Sequence, residues 1–208
     1  HKTESILNSA KPSQTAGMQA VAQSFYNDEK WTSCVDVCTK FLQRFPDAPN
    51  KAAVEKMLGD AKHRADLSSG HNHDVAEPVL RVSNPNLLKQ FDLPAFSRFA
   101  KTYKPGQVII AEYEPGDSFY LIQSGQVQLV KTVNGDNKNL DILMPSEIFG
   151  EMAILDNSPR SATCLAIDTV KCLEFNKSNF EQLITGNPQM ALILLKLFCK
   201  RIYDQKKR

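Results

Sequence analysis

The sequence lacks any apolar run long enough to cross a bilayer. Its longest uninterrupted apolar stretch, residues 190–195, ends at Lys196, whereas a membrane helix needs about 20 predominantly apolar residues. It also lacks a strong charge of one sign, because 25 lysines and arginines face 23 aspartates and glutamates. No membrane span and no uniformly basic surface for nucleic acid are therefore predicted.

Cysteine is sparse, and its spacing fits neither a disulfide framework nor a zinc knuckle. The five cysteines are an odd number, which favours reduced thiols and predicts a cytoplasmic location. Cys34 and Cys38 share one face of a predicted helix and are interpreted as small buried side chains, because no nearby ligand completes a metal site. His71 and His73 lie in a polar stretch and are interpreted as a solvated loop.

The sequence also lacks the residue sets of common active sites. We find no nucleophile with a matching base, no phosphate loop and no metal-ligand cluster, so no enzyme activity is predicted. A chain of 208 residues with 42% hydrophobic residues suits one or two small domains with a real core. Because the sequence begins at His1 rather than Met, we interpret it as part of a longer or trimmed chain.

The N-terminal part, residues 1–66, has the apolar spacing of helices. Breaks at 27–30 and at 45–49, where two prolines disfavour continuation, predict three antiparallel helices. The pattern around Trp31 resembles a tetratricopeptide repeat over about one and a half repeats. So few repeats bury little surface, and we expect this segment to pack on the next domain, on a protein partner or on further chain. An ordinary helical hairpin is the alternative.

The apolar period changes after a predicted linker at 67–85, so residues 86–208 form a second predicted domain. Six strand-like runs are separated by turn signals at the spacing of an antiparallel sandwich or barrel. They are residues 108–111, 119–122, 127–130, 140–143, 162–166 and 170–175. The predicted fold class is α+β: the helical segment, a jelly-roll-like antiparallel β-roll flanked by helices, and a long helix from Pro188 to about Gln205.

Residues 149–163 interrupt the strand pattern and have the composition of an anion site. A glycine turn at Gly150 opening into one helical turn exposes backbone N–H groups. Arg160 follows at a distance that returns its guanidinium to the same place, where its planar fork matches two phosphate oxygens. Glu151 would repel a phosphate, but a carboxylate there accepts hydrogen bonds from sugar hydroxyls. Phosphate and sugar together indicate a nucleotide.

Two motifs, residues 116–125 and 149–163, together resemble the cyclic nucleotide-binding domain of catabolite activator proteins and of the regulatory subunits of cyclic AMP-dependent kinase. The resemblance implies that Arg160 binds the cyclic phosphate, that Glu151 binds the ribose 2′-hydroxyl, and that a hydroxyl or small residue lies beside the phosphate at Ser161. The implied ligand-binding residues are Gly150, Glu151, Met152, Ala153, Arg160, Ser161 and Ala162. A surface ion pair of Arg160 with Asp156, and a ligand-free carboxylate at Glu151, are the alternatives.

The implied function is a sensor that binds a 3′,5′-cyclic nucleotide and signals by moving its last helix. Cyclic AMP is the expected ligand; cyclic GMP and a cyclic dinucleotide stay open. The last helix is apolar on most sides, which favours a homodimer through this helix or packing against the N-terminal helices. Gln205 and Lys206 are candidates for contact with the base.

Two other functions stay open on the sequence alone. A ligand-free β-roll could serve as a protein-interaction scaffold, with the N-terminal helices docking a partner. The chain could also be the sensor part of a transcription regulator; since no helix-turn-helix follows the last helix, no DNA binding is expected of the chain as it stands.

Overall fold

The computed structural model describes residues 12–68, 89, 91, 94–186 and 188–206. The helices are α1 (Pro12–Asn27), α2 (Trp31–Arg44), α3 (Lys51–Leu67), a 3₁₀ helix (Pro94–Phe99), α4 (Met152–Asp156), α5 (Lys177–Gly186) and α6 (Pro188–Lys206). The strands are β1 (Ala100–Tyr103), β2 (Val108–Ile110), β3 (Ser118–Ser124), β4 (Val127–Val133), β5 (Asp136–Leu143), β6 (Ile148–Phe149), β7 (Thr163–Ala166) and β8 (Val170–Asn176).

The strands form two four-stranded antiparallel sheets, in the orders β1-β8-β3-β6 and β2-β7-β4-β5. Side chains alternate between the two faces of each strand, so one face of each sheet contributes to a shared core. On β3, for example, Tyr120 and Ile122 point into the core between the sheets, whereas Phe119 and Leu121 point to the outer face. The predicted α+β class with a helix-flanked β-roll is confirmed.

The C-terminal helices cover the outer face of the β1-β8-β3-β6 sheet. Phe119 and Phe175 stack there with ring centroids 5.1 Å apart, and Phe198 of α6 contacts Phe119 at 5.1 Å. Met190, Leu194 and further α6 side chains join the same cluster. Because apolar area is the main favourable term in packing, this phenylalanine cluster fixes α6 on the sheet.

The N-terminal helices cover the outer face of the other sheet. Their buried side chains form one cluster with Val108, Ala111, Val130 and Leu165 of the β-roll. The N-terminal segment therefore packs on the β-roll, which is one of the surfaces expected to contact it. Polar contacts cross the same junction: the Ser33 hydroxyl donates to the Gly106 carbonyl at 2.9 Å, and the Val108 N–H donates to Asp36 Oδ2 at 2.9 Å.

The predicted linker lies largely outside the described residues. Of residues 67–85 only 67 and 68 are described, so the division into two domains stays a prediction. Strands β1 and β6 were not predicted, because the exposed sequence of β1 has no apolar alternation and β6 has only two residues. In the part of the chain that the structure describes, no helix is both long and apolar enough to span a membrane.

Candidate functional site

One cavity brings together the residues that follow β6, the start of β7 and the terminal helix. Its cavity volume is about 50 Å³, or about 400 Å³ when the open mouth is counted, and all seven predicted ligand-binding residues line it. The lining residues are Ile110, Leu129, Phe149, Gly150, Glu151, Met152, Ala153, Arg160, Ser161, Ala162, Cys164 and Arg201. The sequence interval 149–162 therefore folds back on itself around a single space.

Two glycines leave room for the guanidinium of Arg160. Gly150 has a φ of +80°, and a Cβ there would lie 2.8 Å from Arg160 Nη1. A Cβ on Gly116 would lie only 2.2 Å from Arg160 Nε, far inside van der Waals contact. Any larger residue at either position would displace the guanidinium or the backbone, and at Gly150 the positive φ adds strain.

Arg160 is 6% exposed, and its guanidinium is held by neutral groups. Nη1 donates to the Gly150 carbonyl at 2.6 Å, and Nη2 donates to the Ser118 hydroxyl at 3.1 Å. Nε is buried without a hydrogen-bond partner, and no carboxylate of the described residues forms an ion pair with this side chain. Asp156, the alternative partner, accepts hydrogen bonds from Ser158 instead.

A buried cation with no anion beside it is costly in a protein interior. The positive charge of Arg160 faces a cavity, so an anion that enters this cavity would compensate it. The guanidinium offers planar, paired donors, the geometry that suits a phosphate or carboxylate.

Glu151 lies in the same cavity and is 2% exposed. Glu151 pairs with Arg201 of α6, whose Nε is 3.9 Å from Glu151 Oε1 and whose Nη1 is 3.5 Å from Asp141 Oδ2. These ion pairs are long, and both of these Arg201 nitrogens lack hydrogen-bond partners. Glu151 is therefore linked to the terminal helix by a long ion pair with Arg201 and not by a hydrogen bond to it.

The remaining walls are small or apolar. Ala153 and Ala162 are buried, Met152 is 38% exposed, and Ser161 is exposed at the rim. Burial raises the pKa of the Cys164 thiol to about 12, which favours the protonated thiol at neutral pH. Groups of three or more residues able to ligate a metal ion do not occur among the described residues.

Sequence reasoning missed two contributors to the site. Arg201 was not predicted, and the terminal helix was instead expected to act through Gln205 and Lys206, whose side chains lie outside the described ones. The contact of Gly116 with Arg160 was also not predicted, although its motif was recognised. That motif could have indicated it, since a glycine beside a site of charged groups allows close approach.

The geometry combines an uncompensated guanidinium and a buried carboxylate in one cavity, groups that can pair with a phosphate and accept from a hydroxyl, respectively. Residues 100–187 match the cyclic nucleotide-binding domain family. The match does not extend over α1–α3, so the resemblance of that segment to a tetratricopeptide repeat stays a prediction.

Curated proteins similar to the chain include two from different regulatory classes. A cAMP-dependent protein kinase regulatory subunit of Dictyostelium discoideum is 38% identical over 42% of this chain and 28% of its own length. A cyclic AMP receptor protein of Thermus thermophilus is 33% identical over 50% of this chain and 49% of its own length. The chain thus spans less than half the length of these relatives.

Among solved structures, the Thermus thermophilus catabolite activator protein is 28% identical, with a TM-score of 0.47. The alignment covers 58% of this chain and 60% of that one.

Proposed function

We propose that this chain is a cyclic nucleotide sensor that binds cyclic AMP in the cavity between Arg160 and Glu151. The observation that carries the proposal is the buried Arg160 guanidinium, which faces the cavity with no carboxylate partner among the described residues. In this proposal the cyclic phosphate accepts hydrogen bonds from Arg160, and the ribose 2′-hydroxyl donates to Glu151. The two charged side chains would then bind opposite ends of one ligand.

The choice of cyclic AMP is supported by the relatives named for it, the kinase regulatory subunit and the cyclic AMP receptor protein. Calorimetric titration with cyclic AMP, cyclic GMP and a cyclic dinucleotide tests this choice. We expect cyclic AMP to bind most tightly; tighter binding of either other nucleotide would correct the ligand while keeping the site. A chain that binds none of them would be a ligand-free scaffold.

Replacing Arg160 tests the phosphate contact. We expect Arg160→Ala to weaken cyclic AMP binding by about 1.5–3 kcal/mol, roughly ten- to 150-fold, because hydrogen bonds to a charged group are lost. Arg64→Ala is the matched control, since Arg64 lies on α3, pairs with Asp60 and does not line the cavity. Equal affinity of wild type and Arg160→Ala would remove Arg160 from the site.

The ribose contact is tested with a ligand that lacks one hydroxyl. We expect 2′-deoxy cyclic AMP to bind wild type about tenfold more weakly than cyclic AMP, because a hydrogen bond to a carboxylate is absent. In Glu151→Gln the difference between the two ligands should shrink. A difference that persists unchanged in Glu151→Gln would assign the hydroxyl to another group.

We also propose that the terminal helix reports ligand occupancy. Arg201 connects α6 to Glu151 inside the cavity through a 3.9 Å ion pair, so a ligand that engages Glu151 competes with this link. A ligand shifts a conformational equilibrium only through different affinities for the two states. Hydrogen exchange of residues 188–203 should therefore change on addition of cyclic AMP in wild type, and change less in Glu151→Gln.

The exposed apolar face of α6 supports a homodimer through this helix. Leu192, Leu195, Ile202 and Tyr203 are between 40% and 59% exposed on one helix, a spacing typical of a helix that packs on another. Sedimentation equilibrium should detect a dimer that Leu195→Glu dissociates. A monomeric wild type at micromolar concentration would exclude this arrangement.

A further inference from the structure

The turn between β2 and β3 fixes the backbone of Arg160. The Arg160 N–H donates to the Glu114 carbonyl at 2.9 Å, and the Tyr113 N–H donates to the Arg160 carbonyl at 2.9 Å. The same turn is closed by its own side chain, since the Ala111 N–H donates to Glu114 Oε2 at 3.0 Å. Any displacement of Glu114 therefore shifts the main chain from which the guanidinium extends.

The N-terminal helices contact this turn through two ion pairs. Lys40 Nζ lies 3.6 Å from Glu114 Oε2, and Arg44 Nε lies 3.4 Å from Glu114 Oε1. Lys40 and Arg44 are one helical turn apart on α2, so both reach the same carboxylate. The Glu114 side chain is 7% exposed, which reduces the screening of these pairs by solvent.

Helix α1 packs closely against the same turn. Tyr113 has a φ of +66°, a conformation that residues other than glycine rarely adopt. A Cβ added to Gly17 of α1 would lie 2.6 Å from Cγ and Cδ2 of the Tyr113 ring. The backbone of α1 therefore lies directly against this ring, and only a glycine permits the approach.

We propose that the N-terminal helices position Arg160 for the phosphate, with Glu114 as the positioning residue that Lys40 and Arg44 hold. This inference rests on the proposed function of Arg160, and it gives the helices a part in setting ligand affinity. The tight fit of the guanidinium against Gly116 leaves little freedom for its backbone to move without loss of geometry.

Removing both cations of α2 in the full chain tests the proposal. We expect Lys40→Ala/Arg44→Ala to weaken cyclic AMP binding about three- to tenfold in calorimetry, because Glu114 loses both ion pairs. The conservative exchange Lys40→Arg/Arg44→Lys keeps both charges and should restore affinity to within about twofold. Lys51→Ala is the control, since it breaks a surface ion pair with Glu55 within α3.

Coupling to Arg160 distinguishes positioning from general stabilisation. In an Arg160→Lys background, the alanine pair at positions 40 and 44 should cause no further loss of affinity. An equal loss in both backgrounds, or an affinity that the alanine pair leaves unchanged in wild type, would overturn the proposal.

A readout without ligand separates this proposal from the proposed function. The Arg160 Nε–H resonance, assigned by its disappearance in Arg160→Lys, should shift in the alanine pair and stay in place in Lys51→Ala. If wild type binds no cyclic nucleotide but this resonance shifts, the proposed function fails and the positioning stands. A resonance that the alanine pair leaves in place contradicts the positioning itself.

Discussion

Helices cover the outer faces of both sheets, but the two covers approach the cavity differently. The cavity-lining residues that the structure describes include Arg201 from α6 and none from α1–α3. The N-terminal helices instead contact the turn at Glu114, whose backbone holds Arg160 from behind. Helix α6 places a side chain in the cavity, whereas the N-terminal helices contact the turn that holds the backbone of a cavity residue.

This difference separates two tasks. A contact inside the cavity differs between empty and occupied states, so it is the kind of contact that can transmit occupancy. A contact behind the wall does not touch the ligand and would adjust affinity instead. Under the proposed function, the C-terminal helix would therefore transmit occupancy, and the N-terminal helices would position Arg160.

The largest effect is expected on the C-terminal side, from Arg201→Ala. This change leaves the nearly buried carboxylates of Asp141 and Glu151 without their shared cation, and we expect the free energy of unfolding to fall by about 3–5 kcal/mol. Urea unfolding measures it. Lys196→Ala, on the exposed side of the same helix, is the control and should change stability by less than about 0.5 kcal/mol. Equal losses in both variants would contradict a buried ion pair at Arg201.

A smaller effect is expected at the N-terminal junction, from Ser33→Ala. The Ser33 hydroxyl donates to the buried Gly106 carbonyl at 2.9 Å, and its removal leaves that acceptor without this donor, at a cost of about 1–3 kcal/mol. Gln43→Ala, at an exposed position of the same helix, should be nearly neutral. If Ser33→Ala unfolds at the wild-type urea concentration, the polar contacts of this junction do not stabilise it.

The sequence predicted the parts of the fold that local patterns determine. Strands β3, β4, β7 and β8 were recognised because each is a short run rich in apolar residues that is bounded by turn signals. The interval from Gly150 to Ala162 was recognised as one site for the same reason, since its glycine turn and returning arginine lie within one loop.

The sequence could not predict contacts between distant segments. Arg201 is one of several basic residues near the end of α6, and nothing local distinguishes the one that reaches Glu151. Glu114 was not predicted to have a role, although it forms ion pairs with two side chains of α2. Both residues gain their roles from the packing of helices on opposite sheets, which residue spacing does not encode.

The smallest expected effect is a pH dependence of stability that arises from Asp36 at the N-terminal junction. Burial raises the pKa of Asp36 from its ordinary value of 3.8, against the opposing effects of the Val108 N–H and of Lys40. A carboxyl whose folded pKa is raised favours folding fully below pH 3.8, and this contribution is lost as the pH rises through the folded pKa.

Asp36→Asn removes this titration and keeps an oxygen that accepts from the Val108 N–H. The stability of wild type relative to Asp36→Asn should therefore fall as the pH rises above about 4, which urea unfolding between pH 4 and pH 8 measures. Other carboxyls titrate in both proteins and largely cancel in this difference. A difference that is constant over this range would show that Asp36 has the same pKa in the folded and unfolded chains. Packing of the N-terminal helices on the β-roll would then not desolvate this carboxyl.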